Sequence, residues 1–142
     1  MASKRGPALT FFAIAFLVLA LSDLMKRFGL EGADTGLVVL GRRLSRDASA
    51  VAGPLLALVL VVYAVGIWRL RPWAVPLGWA YAAYVTANVL LFPFRTPQPA
   101  DAGIGYWLFG IVYMVVAIAG TTMCARLLTR RTAVAERAAA AA

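Results

Sequence analysis

Apolar residues fall into four long runs separated by short polar breaks, from Pro7 to about Met25, Ala48 to Trp68, Trp73 to Phe94 and Gly103 to Ala125. Each run approaches or exceeds the roughly 20 apolar residues that cross a hydrocarbon core about 30 Å thick. The pattern predicts an all-α fold: a single integral membrane domain, residues 1–142, built as a four-helix transmembrane bundle with spans 7–25, 48–68, 73–94 and 103–125. Pro7 stands in the first turn of its run, where a missing backbone N–H is harmless.

The breaks set the order in space. "RLRP" at 69–72 leaves room only for a tight turn between antiparallel neighbours, and Trp68 and Trp73 flank it as an interfacial pair. "RTPQPAD" at 95–101 is short, polar and broken by two prolines, so the third and fourth spans should also be neighbours. The first break is longer. Within it Leu37, Leu40 and Leu44 recur at helical spacing while Arg42, Arg43 and Arg46 fall on the other side. This predicts a short amphipathic interfacial helix over 34–47, capped by Asp34 or Thr35. Gly36 and Gly41 favour the alternative of an irregular loop. After the fourth span, the alanine-rich 132–142 reads as a flexible, frayed tail.

Composition narrows the class. The chain is 63% hydrophobic and 14% charged, a balance that a soluble domain of this size does not show. Its formal charge of +8 points to membrane lipids as partners and not to nucleic acid, because the basic residues sit between or beside apolar runs. Eight lie on the side of the termini (Lys4, Arg5, Arg69, Arg71, Arg126, Arg130, Arg131 and Arg137), against six on the other (Lys26, Arg27, Arg42, Arg43, Arg46 and Arg95). The excess predicts cytoplasmic termini in a bacterial-type inner (plasma) membrane, and its small size leaves dual insertion open. The basic start, apolar middle and "ALS" before Asp23 also fit a secretory signal, the competing reading of the first span.

Little chemistry is on offer. Histidine is absent and cysteine occurs once, at Cys124, which removes imidazole ligands, histidine acid–base catalysis and paired thiols. No catalytic, cofactor-binding or metal-binding residue is expected, and the chain reads as not an enzyme.

A polar stripe in the third span is the main candidate site. Tyr81, Tyr84, Asn88 and Arg95 share one helical side. A side-chain amide below the headgroups needs hydrogen-bond partners, so the stripe should face protein or a wet cavity. Arg95 could pair with Asp23 or Asp101, while Lys26 and Arg27 give Asp23 a local alternative. Tyr113 in the fourth span needs an acceptor as well, with Tyr63 and Asn88 in view. Asn88 is then either an interhelical tie or the floor of a pocket for the head of an amphiphile. Small residues predict the close contacts: Gly53, Ala57 and Ala64, then Ala83 and Ala87, then Ala117, Gly120 and Thr121.

These features favour a non-catalytic membrane component that binds lipid or another hydrophobic ligand, or serves as an accessory subunit of a larger membrane complex or homo-oligomer. The alternative is a small four-span transporter protomer working as a dimer. Exporters of that kind carry an acidic residue deep in their first span, and here that span is uncharged until Asp23 near its end.

Overall fold

The computed structural model describes residues 6–25, 37–97 and 103–141. Four helices carry the fold: α1 (Gly6–Met25), α2 (Arg46–Trp68), α3 (Ala74–Arg95) and α4 (Ile104–Ala140). All four are long and apolar enough to cross a membrane. Lys4, Arg5, Lys26, Arg27, Asp34, Thr35, Gly36 and Asp101, to which roles were assigned above, lie outside the described residues.

The helices pack as two pairs, α1 along α2 and α3 along α4. On α1 the buried apolar positions are Leu9, Ala13, Phe16 and Ala20, spaced by three or four as one helix face requires. Against them pack Ala57, Leu60, Tyr63, Ala64 and Ile67 of α2, Ala74 of α3, and Cys124 and Leu128 of α4. Two glycines set the spacing by close approach. A Cβ on Gly53 would stand 2.7 Å from the Asp23 carbonyl oxygen, and one on Gly78 would stand 2.5 Å from the Tyr63 hydroxyl. The Tyr63 hydroxyl, tucked against Gly78, also meets Cys124 Sγ at 3.6 Å.

The turn from α2 to α3 is a Schellman motif. Arg71 N–H donates to Gly66 O at 3.0 Å and Leu70 N–H to Ile67 O at 3.2 Å. Leu70 takes the left-handed position, φ 49°, where glycine is usual. Its side chain packs against the core, which offsets the backbone strain.

The amphipathic helix expected over 34–47 is not what residues 37–45 form. They make a two-stranded antiparallel hairpin, β1 (Val38–Val39) and β2 (Arg42–Arg43), with Val38 opposite Arg43 and Val39 opposite Arg42. Leu40 and Gly41 turn it with φ of 48° and 78°, the left-handed pair of a type I′ turn and incompatible with a helix. Two β-branched valines and a glycine at a forced position outweigh the weak leucine periodicity. Helix α2 then starts at Arg46, with Ser45 Oγ capping it by accepting from Ala48 N–H at 3.3 Å.

The fourth helix also departs from expectation. It continues through Ala140, 37 residues in all, so the segment read as a frayed tail is helical over 132–140. Alanine has the strongest helix propensity, and the run merely prolongs an existing helix without a new nucleation step.

Candidate functional site

The polar stripe of α3 is spent on the hairpin backbone. Asn88 Oδ1 accepts from Gly41 N–H at 2.9 Å, and Asn88 Nδ2 donates to Val38 O at 3.0 Å. Tyr84 donates its hydroxyl to the same carbonyl at 3.3 Å. Towards the end of α3, Arg95 Nη1 donates to Leu40 O at 3.3 Å and Thr96 Oγ1 to Gly41 O at 2.7 Å. The hairpin thereby gains partners for a donor and three carbonyls that its own short ladder leaves over.

The other flank is tied to α2. Ser49, buried, accepts from Leu37 N–H at 3.1 Å, and Leu44 N–H closes back onto Leu37 O at 2.8 Å. Gly41 is buried so closely on α3 that a Cβ there would lie 2.5 Å from the Leu91 carbonyl carbon. Glycine is thus required twice at this position, for its φ and for the space.

The predicted site residues separate into four groups. Tyr84, Asn88 and Arg95 converge on the hairpin. Tyr81 belongs to an aromatic cluster with Phe16, Tyr63 and Tyr84, its ring centroid 5.5 Å from Phe16 and 6.2 Å from each tyrosine. Asp23 is buried at the end of α1. Arg95, expected to pair with a carboxylate, reaches a backbone carbonyl instead. Tyr113, expected to find Tyr63 or Asn88, is 60% exposed on α4 and makes no hydrogen bond among the described residues, since the Tyr63 hydroxyl is taken by Cys124.

Tyr113 does border a cleft. Between α3 and α4 lies a space of about 290 Å³, bordered on one side by the hairpin. From α3 it is walled by Val89, Phe92 and Pro93, and from α4 by Trp107, Phe109, Ile111 and Met114. Polar groups are few: Asn88 on the floor, the Tyr106 and Tyr113 rings, and Arg43 of β2, whose guanidinium carbon lies 5.9 Å from the Phe92 ring centre. Gly110 faces the cleft with nothing within 4 Å of where its Cβ would be.

An apolar cleft with a small polar end can hold a hydrophobic molecule by shape and orient it by one or two polar contacts. Asn88 retains one N–H and one lone pair after binding the hairpin. Among the described residues no group of His, Cys, Asp and Glu could hold a metal ion. The sequence reading missed Arg43, Phe92, Thr96 and Trp107 as parts of one locality. The usable signal was Val38-Val39 and Arg42-Arg43 flanking Leu40-Gly41, a two-residue turn between short strands.

Comparison with protein-family models, curated proteins and solved structures finds no match for this chain.

Proposed function

We propose that this chain is a non-catalytic integral membrane protein whose α3–α4 cleft seats a hydrophobic molecule drawn from the bilayer. The observation that carries this reading is the cleft itself, apolar on both helical walls and polar only at Asn88, the tyrosines and Arg43. Membrane residence is supported by the outward faces: Phe94 and Ile104 are 86% and 89% exposed, and Phe11 and Phe109 are similarly bare. Water would not tolerate a continuous apolar surface of that extent, whereas acyl chains match it. The absence of histidine supports a binding role over a catalytic one.

Native mass spectrometry of the protein released from lipid nanodiscs tests this directly. A retained small molecule is expected on the wild type, and Gly110→Phe, which fills the cleft without meeting a neighbour at Cβ, should lose it. Equal retention by both proteins would overturn the reading.

The bundle is oriented with its termini in the cytoplasm. Arg126, Arg130, Arg131 and Arg137 of α4, together with Arg69 and Arg71, support this by the usual cytoplasmic excess of basic residues. The transporter reading rests on a different observation, an acidic side chain, Asp23, buried at the end of α1. It requires that Asp23→Asn abolish cation-driven uptake in proteoliposomes while the fold survives.

A further inference from the structure

We infer that the cleft between α3 and α4 takes the head of an uncharged prenyl quinone, its ring lying over Gly110 and its carbonyl oxygens accepting hydrogen bonds from Asn88 and Tyr113. This rests on the cleft reading above and adds the ligand class. Charge does not select the ligand. Arg43 lies over the Phe92 ring and has a further interaction within the fold, and the hairpin end beside it mixes signs, with Arg42, Arg46 and Asp47 all exposed. What the two walls offer is hydrogen-bonding capacity from neutral groups. Asn88 keeps one N–H after binding Val38 O, and the Tyr113 hydroxyl makes no hydrogen bond among the described residues.

Depth makes those donors matter. Asn88 to Arg95 is roughly 10 Å of helix and Ile104 to Tyr113 roughly 14 Å, and the two segments face each other across the cleft. Both groups therefore lie well inside a hydrocarbon core about 30 Å thick, where acyl chains supply no acceptor and an unmade bond is costly. A carbonyl oxygen satisfies them without bringing in a charge. Shape then selects a ring. Gly110 leaves a notch in the α4 wall, with Tyr106 four residues before it and Tyr113 three after, each about 5–6 Å away along the helix surface. Aromatic rings on both sides of a notch suit a planar ring better than a branched glycerol ester. At about 290 Å³ the space is at the small end of ligand pockets, roughly 300–1,000 Å³, so it holds the ring and the start of the prenyl chain, with the rest among acyl chains.

The test uses the full chain in phosphatidylcholine nanodiscs carrying equal amounts of three probes, followed by native mass spectrometry. The probes are ubiquinone with a short prenyl chain, the same chain on an alkylated benzene without oxygen, and diacylglycerol. Wild type should retain the quinone over the oxygen-free ring by a factor on the order of ten, as two net hydrogen bonds supply, and should also prefer it to diacylglycerol. Equal retention of the two rings would overturn the carbonyl assignment, and equal retention of diacylglycerol would overturn the ring; either leaves the cleft reading standing. These comparisons need no substitution. Tyr113→Phe, at an exposed position, should lower the preference over the oxygen-free ring to roughly threefold, the share of one bond, and an unchanged preference would sink the inference. A wild-type dimer that Tyr113→Phe splits, with no probe retained, would overturn it too, by giving the hydroxyl a partner in a second copy. Gly110→Phe should retain none of the probes, and undiminished retention there would remove the cleft reading as well.

Discussion

Asn88 holds the hairpin turn at two points, with Gly41 N–H donating to its Oδ1 at 2.9 Å and its Nδ2 donating to Val38 O at 3.0 Å. One side-chain amide thus stands in for the strand that the hairpin's turn lacks. Replacing Asn88 with Leu removes both bonds at once. Each buried polar group left without a partner costs about 1–3 kcal/mol, so the loss should be concentrated in the hairpin. Hydrogen exchange should quicken over 38–43 and stay slow in α1 and in α2 beyond Ser49. Unchanged protection of the Gly41 amide would show that the bond contributes nothing.

Gly41→Ala should be more disruptive than its size suggests. The new Cβ meets the Leu91 backbone at 2.5 Å and forces a left-handed φ on alanine, together about 2 kcal/mol or more. A melting temperature within a degree of wild type would contradict the tight seat described for this turn.

Two leucines occupy left-handed positions, Leu40 and Leu70, and they should respond in opposite directions to glycine. Leu40 is exposed and recovers little from its side chain, so Leu40→Gly should stabilise by up to about 1 kcal/mol. Leu70 packs on the core, so Leu70→Gly should destabilise through lost burial. Thermal melts of the two variants in one detergent decide the matter.

Gly78 and Tyr63 form a coupled pair. Gly78→Ala drives a methyl into the Tyr63 hydroxyl at 2.5 Å and should cost about 1–3 kcal/mol. Tyr63→Phe removes the obstructing oxygen. The double variant should therefore be more stable than the two separate losses would add up to, and strict additivity would mean that the contact is relaxed by other movements.

Orientation can be read from single cysteines in a Cys124→Ala background. An impermeant thiol reagent applied to intact cells should label Arg42→Cys on the hairpin and spare Arg137→Cys on α4. The reverse pattern would invert the topology, and labelling of both would establish dual insertion.

The four helices were legible because composition and length carry that signal, and their ends moved by no more than two residues at most boundaries. The seam on α2 was legible too: Gly53, Ala57 and Ala64 are all buried. The seams on α3 and α4 were not. Burial falls on Gly78, Ala82 and Val89 in place of Ala83 and Ala87, and on Cys124, Ala125 and Leu128 in place of Ala117, Gly120 and Thr121. Small residues permit close approach on any face they occupy, and in α3 and α4 they occupy several, so size alone does not choose the contact. The stripe of Tyr84, Asn88 and Arg95 was legible as a group in need of partners. Its partners were not, because they are backbone atoms of a turn, and backbone atoms leave no mark on the sequence beyond the glycine that makes the turn feasible.

At 37 residues α4 measures roughly 55 Å, against a hydrocarbon thickness of about 30 Å, so it continues as a rod past the bundle end where α2 turns into α3. Trp79 Nε1 donates to Thr129 Oγ1 at 3.3 Å, and Leu128 and Thr132 are buried, so the base of this rod is anchored laterally. A fluorophore stapled rigidly along 134–140 would consequently rotate with the whole bundle, and its polarised emission in an aligned bilayer would report the tilt of the molecule.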